Sequence, residues 1–489
     1  MLLRILIVSF VSLGAALAQS APQAQQSTDF KGVVRKNLAP ISSETLKVKF
    51  PKPVESKLKD GMSLLVLEDH RSPTVQVRIA LPASELNDPR DLAGIGDATT
   101  ALLRLGTTTR TSVQIADTLQ ELGASFGAGT GERYATLQFS TLTENLDAVI
   151  ALVTDIMFHP SFPQDELDKW KNRQLSSLTQ ARTQPGFLGQ ERMFADLYPN
   201  DNRSLVAPTP ESIRKITRES IVDYYSKNFR PAGGMVAVSG DVAPAEIAAK
   251  LDKMLTGWQG DAKVAAPKAP VLPIPAAIAE KKIFLINRPN SVQTTLYLGN
   301  LALDRLSPDY IPVMVLNRIL GGGPTSRLFR NIREEKGFTY GISSSFGATH
   351  YVNYFILSTS VRTEVTGPAL EEIFKELRDI RDRPVPADEL EGAKRAMVAN
   401  FALSTENSAT GLNNAVMIKE YGFPADYFDT YPEKISQVTA ADVQRVAKKY
   451  IPADNARIYA VVDAAKVRDV LARFGPVEEW DSDGHVIAK

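Results

Sequence analysis

Residues 163–167 read Pro-Gln-Asp-Glu-Leu, and residues 386–390 read Pro-Ala-Asp-Glu-Leu, 223 positions later. A lysine follows both stretches at nearly the same distance, at Lys171 and Lys394. A single match of this kind can arise by chance, so its meaning depends on whether other parts of the chain repeat in the same order.

Other parts of the chain do repeat. Three further pairs of segments match at offsets of 214 to 222 residues: 122–127 with 336–341, 216–227 with 438–449, and the strand-like 235–241 with 458–463. Four matches in one order predict a duplicated domain of about 220 residues.

Each predicted half contains the same kinds of segments. Alternating apolar residues predict strands at 62–68, 74–81, 282–287 and 294–301, and helical periodicity predicts helices at 113–122, 145–157 and 166–181. Strands and helices cluster in runs and do not alternate singly. This order favours an α+β fold with two homologous domains in tandem, each a mainly antiparallel sheet packed with helices.

The N-terminus predicts export from the cytoplasm. Arg4 precedes an apolar run at 5–17, and Ala16-Leu17-Ala18 forms a cleavage site of the small-residue type. The predicted organisation is a signal peptide at 1–18, a flexible segment at 19–44, an N-terminal domain at 45–259, a Pro/Ala linker at 260–279, a C-terminal domain at 280–475 and a tail at 476–489. No later segment is apolar over the length that spans a bilayer. We expect a periplasmic protein, with an extracellular location as the alternative.

Composition excludes several classes of function. The 56 Lys and Arg residues balance 56 Asp and Glu residues, which argues against a nucleic-acid partner. The chain has no cysteine, so disulfides, thiol catalysis and thiolate metal sites are excluded. Its four histidines are far apart, and no two have the i, i+4 spacing of a helical metal pair.

A glycine-rich stretch at 320–329, LGGGPTSRLF, is similar to a phosphate-binding loop but lacks the Gly-Lys-Ser/Thr ending. We therefore interpret it as a turn before a helix that has Pro324 near its first position. Gly337 is expected to end that helix, and a strand is expected from Phe338 to Phe346.

The full segment 321–341, GGGPTSRLFRNIREEKGFTYG, resembles the C-terminal domain signature of the pitrilysin/insulinase family of zinc metallopeptidases, of the mitochondrial processing peptidase type. The resemblance extends from about residue 45 to about residue 475. It implies two homologous α+β domains that close like a clam shell, in agreement with the duplication.

The resemblance also implies that the family's metal site is lost. Catalytic members carry His-x-x-Glu-His in the helix that corresponds to 94–107, GIGDATTALLRLGT. Here Asp97 and Ala101 stand at the two histidine positions, and Thr100 stands at the glutamate position. The third ligand would lie near Ser177, but no acid or histidine occurs between Asp168 and Glu191. Zinc catalysis needs three ligands and a base, so we expect no metal and no catalytic residue in this chain.

A second site is implied to remain. In metal-less subunits of the family, an arginine and a tyrosine seven residues apart hold the substrate, and Arg333 and Tyr340 have this spacing. A guanidinium can bind a peptide carboxylate or carbonyl, and a phenol adds one hydrogen bond. The alternative is structural, because a cation near a helix C-terminus is common. The family's peptide-binding strand corresponds to 126–139, with Gly127 where asparagine is usual.

These observations predict the substrate-binding subunit of a two-chain zinc metallopeptidase. A homologous partner would supply the zinc in a heterodimer, and peptides would be the substrates. Two alternatives remain: a pseudo-peptidase that binds peptides or acts as a scaffold without hydrolysis, and a peptidase with an unrecognised site.

Overall fold

The computed structural model describes residues 48–199, 201–258, 268–278, 280–406 and 408–488. The predicted signal peptide, the predicted flexible segment and residues 260–267 and 279 of the predicted linker lie outside these residues. The described residues belong to one structural unit, which begins at Thr45.

The N-terminal half contains one sheet and the helices around it. Its strands are β1 Val54–Lys57, β2 Ser63–Glu68, β3 Thr74–Leu81, β4 Ser125–Gly129, β5 Ala135–Leu142 and β6 Met235–Gly240. Its helices are α1 Ile95–Leu103, α2 Ser112–Glu121, α3 Leu146–Phe158, α4 Gln164–Arg182, α5 Pro185–Leu197, α6 Pro210–Lys215, α7 Arg218–Asn228 and α8 Pro244–Leu255.

The C-terminal half repeats this order. Its strands are β7 Lys282–Asn287, β8 Gln293–Leu301, β9 Thr339–Phe346, β10 Tyr354–Arg362, β11 Arg457–Val462, β12 Val477–Trp480 and β13 Val486–Ala488. Its helices are α9 Tyr310–Leu320, a π-helix Phe329–Glu335, α10 Thr366–Asp382, α11 Ala387–Ser404, α12 Ser408–Tyr421, α13 Tyr431–Ser436, α14 Ala440–Tyr450 and α15 Ala464–Ala472.

Five strands of each sheet share one order, β2-β6-β3-β5-β4 and β7-β11-β8-β10-β9, which confirms the predicted fold class. The first runs β1-β2-β6-β3-β5-β4 and the second β13-β12-β7-β11-β8-β10-β9. Each is mainly antiparallel, with parallel pairing of β2 with β6 and of β7 with β11 and β12. Residues 477–488, which we assigned to a tail, add two strands to the second sheet.

The signature segment forms a different helix from the expected one. We predicted a start near Pro324, but helical structure begins at Arg327 and has π-type hydrogen bonding from Phe329 to Glu335. That prediction was wrong because the glycine turn continues through Ser326, whose amide donates to the carbonyl oxygen of Gly323. Gly337 has φ +61° and ends the helix as expected.

Each sheet buries one face against helices of its own half and part of the other face against one helix of the opposite half. Alternate residues of a strand point to opposite faces. In β7, Ile283 and Leu285 face the C-terminal core, whereas Phe284 and Ile286 pack with the N-terminal helix α5. The residues of α5 in that cluster are Leu188, Met193 and Leu197.

The reciprocal contact is made by α12, the counterpart of α5 in the second repeat. Leu412 and Ala415 of α12 pack on Leu65, Leu67 and Ala237 of the first sheet. The two halves thus exchange equivalent helices, and neither half can leave the other without exposing a buried apolar sheet face.

Polar contacts reinforce the position of α5. Asp196 accepts hydrogen bonds from Arg457 at 2.8 Å and from the hydroxyl of Tyr459 at 2.7 Å, both on β11. The guanidinium of Arg192 lies 4.1 Å from the ring centroid of Trp480 on β12. These contacts bind a helix of the first half to two strands of the second.

Gly189 permits the close approach of α5 to the second sheet. A β-carbon added at Gly189 would lie 2.6 Å from Cδ2 of Tyr297, well inside van der Waals contact. In contrast, a β-carbon added at Gly392 of α11 would meet no atom within 4 Å. The first glycine is required by packing, and the second is not.

We predict opposite effects of alanine at these two helical glycines. Gly189→Ala should lower the free energy of unfolding by about 1–3 kcal/mol, because the methyl group overpacks against Tyr297. Gly392→Ala should raise it by up to about 1 kcal/mol, because alanine is the better helix former. Urea denaturation measures both changes. A Gly189→Ala chain as stable as wild type would contradict the prediction, because it would show that α5 can move away from the second sheet without cost.

Candidate functional site

The helix that corresponds to the family's metal helix is α1, and local contacts explain how it begins. Gly94 precedes it with φ +91°, a left-handed conformation that favours glycine. The buried carboxylate of Asp88 accepts hydrogen bonds from the amide of Gly96 at 3.2 Å and from the hydroxyl of Tyr224 at 2.9 Å. Asp88 therefore satisfies a free amide at the start of α1.

The positions of the two histidines and the glutamate of His-x-x-Glu-His are occupied by Asp97, Ala101 and Thr100, whose side chains make other contacts. Asp97 is exposed and accepts a hydrogen bond from Thr130 at 2.9 Å. Thr100 is buried, and its hydroxyl lies 3.1 Å from the carbonyl oxygen of Gly96 in its own helix. Ala101 packs against the N-terminal core. None of the three side chains presents a nitrogen ligand.

The position predicted for the third metal ligand is also unsuited to bind a metal ion. Ser177 is an exposed residue of α4. Across the part of the chain that the structure describes, no group of three or more histidine, aspartate or glutamate side chains is arranged to hold a metal ion.

A cavity of about 460 Å³ lies beside α1 and is lined by both halves. Four carboxyl groups of the first half border it, those of Glu85, Asp88, Asp97 and Glu132. Burial, together with the nearby Asp97, Asp88 and Glu132 carboxylates, raises the pKa of Glu85 to about 7. Burial also raises the pKa of Asp88 to about 6 and raises that of Glu132.

We did not predict this acidic cavity from the sequence. Its acids come from the loop before α1, from α1 and from the β4–β5 turn, and their approach is a tertiary effect. The available signal was the run of acids in 85–91, ELNDPRD, directly before a helix without histidine.

Arg333 and Tyr340, the predicted substrate-binding pair, are in contact. The guanidinium carbon of Arg333 lies 5.0 Å from the ring centroid of Tyr340 and 4.6 Å from that of Phe329. Tyr340 is 90% exposed. Among the described residues, the Arg333 side chain forms no hydrogen bond or ion pair.

The neighbouring arginines of the same segment differ from Arg333. Arg327 donates to both carboxylate oxygens of Glu389 at 2.6 and 2.9 Å, and Arg330 lies 3.4 Å from the same carboxylate. These two cations have a structural partner. Arg333 has aromatic neighbours only among the described residues, so its donors are available to a ligand.

The strand beside this pair is the last of its sheet. β9 begins at Thr339, and among the described residues no further strand pairs with its outer edge, although the amide of Ser344 there donates to the carbonyl oxygen of Gly321 at 3.1 Å. β4 occupies the same place in the first sheet. A β-carbon at Gly127 of β4 would lie 3.6 Å from its nearest neighbour, so packing does not require glycine there. Edge strands of this kind can pair with an extended peptide.

Two family descriptions match the chain in succession. Residues 64–208 match "Insulinase (Peptidase family M16)", and residues 215–397 match "Peptidase M16 inactive domain".

The chain belongs to the insulinase family.

Individual relatives agree with this assignment. The "Uncharacterized zinc protease YmxG" of Bacillus subtilis is 24% identical over 394 residues, which are 79% of this chain and 92% of that protein. The "Non-peptidase homolog YmxG" of Helicobacter pylori is 23% identical over 388 residues, 78% of this chain and 88% of that protein. A crystal structure of a peptidase M16 inactive domain from Pseudomonas fluorescens has the same fold, with a TM-score of 0.76, 24% identity and coverage of 84% of this chain and 98% of that one.

Within the insulinase family, this chain lacks His-x-x-Glu-His at the matched helix. It has an acidic cavity beside that helix, and among the described residues Arg333 lies near the end strand of the second sheet without an ion-pair partner.

The acidic cavity should make stability depend on pH. The folded-state pKa of Glu85, about 7, lies above its ordinary value of 4.5. The folded chain therefore holds a proton that the unfolded chain releases, and the free energy of unfolding should fall as pH rises from about 4.5 to about 7.

Glu85→Gln should remove this part of the pH dependence. The variant should match wild type near pH 4 and exceed it by on the order of 1–3 kcal/mol at pH 8. Urea titrations at a series of pH values measure the difference. Glu121→Gln, at an exposed glutamate outside the cavity, is the control and should follow wild type. A Glu85→Gln curve parallel to wild type would contradict the assigned pKa.

Proposed function

We propose that the chain is the non-catalytic, substrate-binding subunit of an exported two-chain zinc metallopeptidase. A homologous subunit would carry the zinc and hydrolyse the peptide, while this chain completes the chamber and binds the peptide with Arg333 and Tyr340. The observation that carries the proposal is the contrast between a metal helix without ligands and a guanidinium without an anionic partner among the described residues.

The proposal that this chain is non-catalytic is supported by α1. A zinc peptidase needs ligands to hold the metal and a carboxylate to take the proton of the bound water. Thr100, at the position of that carboxylate, is buried and hydrogen-bonded within its own helix. The name of the Helicobacter pylori relative, "Non-peptidase homolog YmxG", supports a non-catalytic role for this chain as well.

Peptide binding is supported by the surroundings of Arg333. A cation at a strand edge can bind a carboxylate or a carbonyl of an extended chain, and an exposed phenol adds a directed hydrogen bond. The alternative that the arginine only complements a helix end is weakened by the contrast with Arg327 and Arg330, which do have a carboxylate partner.

The proposed exported location rests on the sequence of residues 1–18, which lie outside the described residues. No helix within the described ranges has the length and apolar character needed to cross a bilayer. We propose a zinc-bearing homologue as the partner because this chain has the family's fold but lacks its metal ligands. Hydrolysis would then need a second chain that holds the zinc.

Mutation of the pair should affect peptide binding by the assembled enzyme. Arg333→Ala should raise KM by about ten- to a hundredfold, because a charge-assisted hydrogen bond is lost, while kcat and zinc content stay near wild type. Tyr340→Phe should raise KM less, because its ring still contacts Arg333. Steady-state kinetics of peptide hydrolysis by the purified two-chain complex measure both.

Arg330→Ala is the matched control, since Arg330 lies in the same π-helix and its ion pair with Glu389 is exposed. It should leave KM within about twofold of wild type, because exposed ion pairs contribute little. Wild-type KM and kcat in Arg333→Ala would refute the binding role. A loss of thermal stability with unchanged KM would identify Arg333 as a structural helix-end cation.

A further inference from the structure

The Arg333 guanidinium is held by aromatic rings. Its carbon lies 4.6 Å from the Phe329 ring centroid and 5.0 Å from that of Tyr340, within the range of a cation–π contact. The ring of Tyr340 is on an exposed strand, whereas Phe329 is half-buried at the start of the π-helix. Phe329 is therefore the more firmly fixed of the two rings.

We propose that Phe329 is a positioning residue that holds the Arg333 guanidinium beside Tyr340 and presents its N–H groups to a peptide at the edge of β9. This inference rests on the proposed peptide-binding function and adds a residue to it. Phe329 itself need not touch the peptide.

The choice of an aromatic ring has a physical consequence. A carboxylate would also fix the arginine, as Glu389 fixes Arg327, but it would occupy the N–H donors. A ring attracts the cation through its face and accepts no conventional hydrogen bond, so all five donors stay free. A free arginine side chain also loses rotamer freedom on binding, and a ring that restricts it beforehand lowers that cost.

The segment supplies Phe329 through its helix. Residues 329 and 333 are four positions apart, so their side chains lie on one face of the helix. Leu328 and Ile332, each one position earlier, are buried in the C-terminal core and fix the adjoining face. The helix is thereby anchored, and the Phe329–Arg333 pair is directed away from the core toward Tyr340.

The test uses the full chain and a short, unstructured, fluorescein-labelled peptide of Ala, Ser, Leu and Gly with a free carboxylate as the probe. Fluorescence anisotropy gives its Kd for wild type, Phe329→Leu, Phe329→Tyr, Arg333→Ala and the double variant Phe329→Leu/Arg333→Ala. Phe329→Leu should weaken binding on the order of two- to fivefold, the value of a cation–π contact. Phe329→Tyr should restore wild-type affinity, because the ring is kept.

The double variant separates positioning from packing. In the Arg333→Ala background, Phe329→Leu should have no further effect, because there is no guanidinium to hold. An equal loss of affinity in both backgrounds would overturn the proposal, as would an unchanged Kd in Phe329→Leu. If Arg333→Ala itself left the Kd unchanged, the proposed peptide-binding function would fail at this site.

A second measurement does not depend on any peptide. The Nε–H signal of Arg333 in a spectrum of ¹⁵N-arginine-labelled chain, assigned by its loss in Arg333→Ala, should be displaced by the ring currents of Phe329 and Tyr340. Phe329→Leu should move it toward the exposed arginine signals, and Phe329→Tyr should not. An undisplaced signal in wild type would overturn the positioning role even if the peptide measurements showed that Arg333 binds.

Discussion

The close packing of α5 on the second sheet, with α12 in the equivalent place on the first, is the contact on which the rest of the structure depends. Each sheet has an apolar strip on the face that its own helices leave uncovered. The strip that includes Phe284 and Tyr459 is covered by α5, and the strip that includes Leu65 and Leu67 is covered by α12. Separating the halves would therefore expose apolar surface at two places at once.

This exchange fixes the cavity beside α1. Residues of α5 and of the chain after it, including Phe194, Tyr198 and Arg203, line the cavity together with Asn353 and Tyr354 of the second half. Arg203 donates to the carbonyl oxygen of Val352 at 2.9 Å and so joins the halves at the cavity wall. The helix at the position of the family's metal helix thus faces a partly open cavity whose walls depend on the interface between the halves.

The chain has kept the shape of an insulinase-family peptidase while its two chemical centres have changed in different ways. At α1 the nitrogen ligands are replaced by Asp97 and Ala101, and nearby carboxyl groups have raised pKa values because they share a buried space. In the C-terminal half, Arg333 is kept between two rings without an anionic partner among the described residues. We propose that the first difference accounts for a chain without hydrolytic activity and that the second favours peptide binding.

Much of the fold could be predicted from the sequence because duplication is visible in it. The repeat of Asp-Glu-Leu at 165–167 and 388–390 marks equivalent helices, α4 and α11. In the second copy, Glu389 of this Asp-Glu-Leu motif forms an ion pair with Arg327 of the signature segment. The absence of His-x-x-Glu-His and the choice of Arg333 and Tyr340 as a pair followed from family resemblance and spacing.

Other features could not be predicted, for physical reasons. The apolar residues of α5 and α12 do not indicate which sheet they cover, because that contact forms between the two halves. The π-helix differs from an α-helix by one hydrogen-bond register. The apolar residues of the segment have no pattern that distinguishes the two registers. The acidic cavity joins Glu85 to Glu132, 47 residues away, and only tertiary structure brings them together. The strands at 477–488 are too short for a clear alternation.

The central claim is that this chain binds peptides and leaves their hydrolysis to a zinc-bearing homologue. The most direct measurement isolates the chain from its native source with its bound companions, separates the polypeptides, and follows zinc and peptide hydrolysis through separation and recombination. The account predicts that zinc stays with the homologous companion, that this chain alone hydrolyses nothing, and that recombination restores full activity. Hydrolysis by this chain alone, or one tightly bound zinc per chain, would contradict it.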